Sequence, residues 1–421
     1  MFNVDSAREA FAGLVLFSRV LEDGPAQAMA RFLDSLQTGT EKASRYLDLV
    51  RALYDQGPSA GPTGDAWQDY LLHRIVTDDQ ALAPGASTGG LPGAMAEAAS
   101  FDLRRLRPLF DLTGPVCRTL TGLPGLPTWP GWTPAPARNP AMVPVQEVAE
   151  ALAAARDWGE MVPRLVEHCR AAGIGIMGRF WFLRWDGQDL RGIAEPDDCD
   201  LDDLIGLASA KATVLRNTEQ LVKGAPANNL LLYGSRGTGK SSLVRSLASR
   251  YGREGLRLVE VDHDAMARIP QLFHLLRRSP QRFIVFLDDL SFNPADPTYR
   301  AFKSVVEGTL EQRPANTLLY ATSNRRSLVS QTPEVRLTSP ESRESLDEGF
   351  SLADRFGLTV LFTTPDQEEY LAIVEGLAAR RRLRVDSQKL REAALRWVVR
   401  NNPRSGRAAR QFIDDLAGRL A

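Results

Sequence analysis

The sequence predicts an α/β protein in which a parallel sheet lies between a mainly helical N-terminal region and a small helical C-terminal one. Three observations predict this. Apolar runs of strand length recur at 228–233 (NNLLLY), 256–262 (LRLVEVD), 282–290 (RFIVFLDDL) and 317–324 (TLLYATSN), with helical stretches between them. That alternation is how a parallel sheet is written in sequence. A glycine-rich loop follows the first run and opens a helix. The stretches at both ends carry apolar residues at helical spacing.

Composition narrows the class. The chain has 421 residues, 51 Lys and Arg against 52 Asp and Glu, and a net charge of −1. A dedicated polyanion binder would carry a marked basic excess. Cys117, Cys169 and Cys199 lie far apart with no CxxC pair, so they predict neither a disulfide framework nor a zinc site. No stretch approaches the ~20 apolar residues of a membrane helix. The N-terminus lacks the basic and apolar regions of a signal peptide. The expected location is cytoplasmic, with no membrane partner.

Residues 1–106 read as helices. Phe11, Leu14, Val15, Phe17, Val20 and Leu21 follow helical spacing, as do Tyr46, Leu47, Val50, Leu53 and Tyr54; Trp67 to Ile75 is a third candidate. Residues 107–144 hold nine of the chain's 26 prolines and predict a Pro-rich linker or loop, because proline fixes φ and removes a donor. Trp129 and Trp132 would staple it to a domain. Residues 145–198 predict one helix to about Ala172 and then a β-hairpin turning at Asp186-Gly187.

The glycine-rich loop carries the chemistry. Gly234, Ser235, Arg236, Gly237, Thr238, Gly239, Lys240 and Ser241 match G-x-x-x-x-G-K-[ST] between a strand and a helix, and Ser242 continues into that helix. Its glycines let backbone N–H groups face inward at the positive end of the helix dipole, where phosphates bind. Lys240 would reach the β- and γ-phosphates, and Ser241 would help hold Mg²⁺. The run at 282–290 ends in two acids, 48 residues after Lys240. Asp288 would hold Mg²⁺ opposite the loop, and Asp289 would activate the attacking water. Asn324, ending the next run, would bond that water or the γ-phosphate. The four histidines are scattered and none is assigned a catalytic role.

This order of motifs, with Ala353-Asp354-Arg355-Phe356 after it, resembles the AAA+ ATPases. The phrases PANNLLLYGSRGTGKSSLV, FLDDLSF, YATSNRR, SLADRFGL and SGRAARQF resemble, more narrowly, the bacterial DUF815 group, over about residues 179–421. The resemblance implies a P-loop NTPase (AAA+) core over 199–365 and a helical lid over 366–421. It implies that Arg355 is an arginine finger reaching a neighbouring subunit; an Asp354–Arg355 surface pair is the other reading. It implies that Arg407 is the lid's sensor arginine, with Arg410 as fallback, and that Leu204 and Ile205 line the adenine pocket. Many AAA+ enzymes have Asp-Glu where this chain has Asp288-Asp289. In that respect it resembles helicase loaders and transposition ATPases, which hydrolyse ATP slowly.

The expected function is therefore binding of ATP–Mg²⁺ and its hydrolysis at the interfaces of a homo-oligomeric ring or spiral, a hexamer being one form. The work would be remodelling or loading a protein or nucleic-acid client. The alternative is a slow nucleotide-gated switch that controls partner assembly. The polar segment 327–349 predicts either a mobile loop at the nucleotide-dependent face or a merely solvated excursion. The basic cluster Arg380, Arg381, Arg382 and Arg384 predicts a solvated or subunit-facing patch.

Overall fold

A computed structural model describes residues 4–57, 61–78, 81–82, 85, 90–129, 131, 139, 141–173, 175–197, 199–291, 299, 302–303, 313–324, 355–401 and 404–420. Trp132, Arg325, Arg326, Asp354 and the segment 327–349 lie outside them. The chain divides into two units, Met1–Phe180 and Trp181–Ala421.

The first unit is helical: α1 (Val4–Ala12), α2 (Gly24–Thr38), α3 (Lys42–Asp55), α4 (Ala66–Val76), α5 (Gly93–Phe110), α6 (Gly114–Thr121), α7 (Met142–Ala154), α8 (Val162–Ala172) and the short α9 (Ile176–Arg179). Its core is built on Phe17, Phe32, Tyr46, Trp67 and Trp158, all fully buried. Burial of large aromatic side chains of this kind dominates core energetics.

Three details differ from the sequence reading. The apolar rhythm from Phe11 to Leu21 is not one helix: α1 stops at Ala12, and the buried carboxylate of Asp102 on α5 accepts the backbone N–H groups of Val15, Leu16 and Phe17 at 2.6–3.0 Å. A tertiary acceptor thus replaces the helical bonds those amides would make. The proline-rich stretch 107–144 contains regular structure. Pro115 falls in the first turn of α6, where a missing N–H costs least, and Pro108 lies inside α5 two residues before its end, at the loss of one helical bond. Trp129 is buried there and its indole N–H donates to Asp65 at 3.0 Å. The stretch 145–172 is two helices, because Asp157 caps a 3₁₀ turn at Trp158–Met161 by accepting from the N–H of Gly159 at 2.8 Å.

The second unit is a seven-stranded sheet with helices and a lid. The strands are β1 (Phe182–Trp185), β2 (Leu190–Gly192), β3 (Leu230–Gly234), β4 (Leu256–Val261), β5 (Arg282–Leu287), β6 (Thr317–Ser323) and β7 (Leu358–Phe362). Their order is β2-β1-β4-β5-β6-β3-β7, and every pairing is parallel except β1 with β2. β6 is buried at all seven positions and β5 at five of its six, as central parallel strands are. The β1–β2 hairpin extends the sheet at its edge. Its connection is a four-residue loop, in which Asp186 accepts from the N–H groups of Gln188 and Asp189 and only Gly187 takes a positive φ, 97°.

The helices are α10 (Ala208–Val222), α11 (Lys240–Tyr251) and α12 (Ile269–Leu276), followed by the lid, α13 (Gln367–Arg380), α14 (Ser387–Asn401) and α15 (Gly406–Leu420). A capping box opens α13: Asp366 accepts from the Glu369 N–H, and Glu369 accepts from the Asp366 N–H, both at 2.9 Å. The lid has its own core, with Tyr370, Val374, Leu377, Ala394, Phe412 and Ile413 among its members.

Candidate functional site: a phosphate loop under a helical lid

Because β3 to β7 run parallel, their carboxyl ends share one edge, where open α/β sheets bind ligands. β3 lies between β6 and β7, so the loop after it is flanked by the tips of both.

Close backbone approach fixes the start of that loop. Gly234 has φ 128°, and a Cβ there would sit 2.0 Å from the carbonyl oxygen of Phe362, to which the Ser235 N–H donates at 3.0 Å. Gly237 and Gly239 take φ of 72° and 96°, in the left-handed region that favours glycine. The Thr238 hydroxyl closes the curve by donating to the Ser235 carbonyl at 2.8 Å. Gly239 caps α11, so Lys240, Ser241 and Ser242 form its first turn, with N–H groups free for an anion.

Lys240 is 7% exposed and its Nζ donates to the carbonyls of Gly234 (2.8 Å) and Ser235 (2.7 Å), with Asn324 Oδ1 at 3.5 Å. Burial lowers its pKa from the ordinary lysine value, against the opposing pull of Asp289 and Asp288. The ammonium is thus held within the loop by carbonyl oxygens.

The two acids close the other side. Ser241 Oγ donates to Asp288 Oδ1 at 2.6 Å, and Arg245, one turn further along α11, donates to Asp288 Oδ2 at 3.1 Å. Arg245 also lies 3.6 Å from Glu260 and 3.7 Å from Asp197. Asp289 takes φ 52°, which Asp tolerates better than most residues, and its carboxylate accepts from the Asn324 amide. Ser241 and Asp288 together present an alcohol and a carboxylate oxygen, the hard donors that could hold Mg²⁺ beside phosphate and water oxygens.

A cleft of about 750 Å³ joins these groups to the lid. Of the residues singled out in the sequence, Arg236 to Ser242, Asp288, Asp289, Asn324, Leu204, Ile205 and Arg407 all line it. Gly234 and Ser235 do not line it; their carbonyls accept from the Lys240 ammonium. Arg355 does not line the cleft; it is exposed, three residues before β7. Leu204 is 7% exposed, and Ile205 packs on the lid where α13 carries Gly376, whose missing Cβ would meet Ile205 at 2.3 Å. Arg407 opens α15, and its backbone N–H donates to the Gly237 carbonyl at 3.1 Å, so the lid touches the loop directly. Arg410 lines the cleft too and donates to Cys199 Sγ at 2.8 Å.

Two arginines of the basic run at the end of α13, Arg380 and Arg381, are paired within this unit. Arg380 pairs with Asp203, with Asp200 at 2.6 Å and with Asp202 at 3.6 Å, and Arg381 pairs with Asp414. Asp200, Asp202 and Asp203 precede Leu204, so the Arg380 pairs tie the lid to the segment under it. Sequence reasoning missed Arg245 and Thr322. Arg245 stands four residues after Ser241 on one helix face, a spacing that signals its position. Thr322 gave a weaker signal, as one more buried residue of an apolar strand.

The fold and the loop define a P-loop protein of the AAA+ type, a nucleotide-binding architecture. A family described as "Protein of unknown function (DUF815)" matches residues 178–420, and the chain belongs to that family. Among solved structures, the Thermotoga maritima RuvB Holliday junction branch migration motor is similar at 20% identity and a TM-score of 0.36, over 52% of this chain and 65% of that one. A point variant of the same protein is similar at 19% identity, a TM-score of 0.37 and the same coverage. The match thus spans 65% of the length of those chains. No curated protein matches this one in sequence.

Proposed function

We propose that this protein binds ATP–Mg²⁺ in the cleft and hydrolyses it, using the cycle to remodel or load a protein or nucleic-acid client. The convergence of Lys240, Ser241, Asp288, Asp289 and Asn324 at the mouth of one loop supports this reading most. The loop N–H groups and Lys240 hold the polyphosphate, and Leu204 and Ile205 cover the base. Ser241 and Asp288 hold Mg²⁺, which would neutralise charge on the transferred phosphoryl group. Asp289 accepts the proton of the attacking water, and Asn324 holds both in place. Arg407 reads the phosphate from the lid. Arg355, which does not line this cleft, acts on that of a neighbouring copy in a ring or spiral, placing fixed charge where the transition state gains it.

A specific observation favours a second reading, a slow switch. Asp289 has a short side chain, and its carboxylate is already engaged by Asn324. Turnover would then wait on a partner that frees it. ATP turnover per subunit against protein concentration separates the two, with Lys240→Ala as the blank. Specific activity that rises with concentration and is lost in Arg355→Ala supports hydrolysis at interfaces. Tight ATP binding with turnover at the blank for every concentration supports the switch. Absence of ATP binding contradicts both.

A further inference from the structure

Thr322 lies two residues before Asn324 near the tip of β6, and its side chain is 1% exposed. Its hydroxyl donates to Asp288 Oδ1 at 2.6 Å and accepts the backbone N–H of Asp289 at 2.8 Å. One oxygen therefore touches both acids, and its single proton is given to the first while a lone pair serves the second. The backbone repeats the connection: the Leu290 N–H donates to the Thr322 carbonyl at 2.7 Å, and the Ser323 hydroxyl donates to the Leu290 carbonyl at 2.9 Å. The turn 288–290 is thus fastened to 322–323 residue by residue. It needs fastening, because just past β5 Asp289 takes a positive φ of 52°, which departs from the extended backbone of the strand. Asn324, the residue that follows β6, engages the Asp289 carboxylate.

We propose that Thr322 is a positioning residue for ATP hydrolysis: its hydroxyl sets Asp288 and Asp289 in register with each other and with Asn324, so that metal-holding oxygen and base move only as a unit. This rests on the hydrolytic reading above. Ser241 also donates to Asp288 Oδ1, but its hydroxyl would be a ligand of the metal as well. The Thr322 hydroxyl serves the two acids alone. Valine keeps the shape of Thr322 and removes both bonds; serine keeps both bonds and loses a methyl.

The experiment compares wild type, Thr322→Val and Thr322→Ser for kcat, for ATP affinity, and for the Mg²⁺ concentration that half-saturates binding of a fluorescent ATP analogue. Thr322→Val is expected to lower kcat about 100-fold, the scale set by a misplacement of about 1 Å. It should raise the half-saturating Mg²⁺ and leave affinity for Mg²⁺-free nucleotide within about 3-fold, because the phosphate loop itself is untouched. Thr322→Ser restores kcat and the Mg²⁺ response, which a packing role for the methyl would not do. Thermal melting checks that each variant folds, and Thr322→Ala replaces Thr322→Val if the latter does not. Wild-type kcat in the hydroxyl-free variant overturns the inference, and so does a serine variant as impaired as the valine one. Wild-type turnover equal to the Lys240→Ala blank overturns the hydrolytic reading and this inference with it, a pattern distinct from the other two.

Discussion

Asp289 is where backbone and chemistry constrain one side chain at once. Its φ of 52° is one that Asn adopts as readily as Asp, so Asp289→Asn removes the charge and leaves the turn intact. Loss of a general base costs on the order of 100- to 10,000-fold. Asp289→Asn is therefore expected to lose at least about 100-fold in kcat while ATP affinity stays within about 3-fold. Parallel loss of affinity and kcat would mean that Asp289 holds nucleotide instead of activating water. Arg245 answers a different question. Its guanidinium meets Asp288 from the side opposite Ser241, with Glu260 and Asp197 within reach as alternative partners. Removing a cation that competes for the same carboxylate should strengthen Mg²⁺ binding. Arg245→Gln is expected to lower the Mg²⁺ requirement for ATP-analogue binding; a raised requirement would show that Arg245 holds Asp288 for the metal. The acids themselves were legible from their place at the end of an apolar run. Arg245 and Thr322 were not, because their significance is their contact with a residue 43 and 34 positions away.

At the scale of elements, the lid meets the core at two points that a single substitution can probe. The Ile205 side chain occupies the space left by Gly376 on α13, and the Arg407 N–H reaches Gly237. Gly376→Ala puts a Cβ 2.3 Å from Ile205 Cδ1, so the end of that side chain, part of the cleft wall, must shift. The expected result is ATP affinity weakened about 10-fold with melting temperature changed little, since α13 gains helix propensity as it loses the contact. Unchanged affinity would remove Ile205 from the base pocket. Element boundaries were readable where one local signal controls them, as with the Asp366–Glu369 capping box. They were misread where a distant group decides. The Asp102 carboxylate ends the N-terminal helical rhythm, and proline at helix ends was read as loop because composition does not say which residue of a turn each proline occupies.

For the whole chain, the core's strand alternation and phosphate loop were written locally, so its architecture was legible. The folding of the first 180 residues into one helical unit depends on aromatic burial with no motif to announce it. Two histidines in that unit give it an expected acid sensitivity. Burial pushes His73 and His168 down to about 4, with Arg74 and Arg179 adding to the effect at His73 and Glu147 opposing it at His168. Both are neutral when folded and take a proton near pH 6.5 when unfolded. Stability is therefore full above pH 6.5, falls as the pH drops towards 4 and levels off below, with each histidine adding a slope of about 1.4 kcal/mol per pH unit. Melts of the full chain between pH 7 and 4.5 should show this fall, and His168→Leu should reduce it; equal slopes would exclude His168. Whether the loop under the lid is a nucleotide site is decided by calorimetric titration of ATP–Mg²⁺ into wild type and Lys240→Ala. The wild type should take up one nucleotide per chain, and removal of the Lys240 charge should cost about 100-fold or more in affinity. Equal binding by the two proteins, or no binding by the wild type, would exclude such a site.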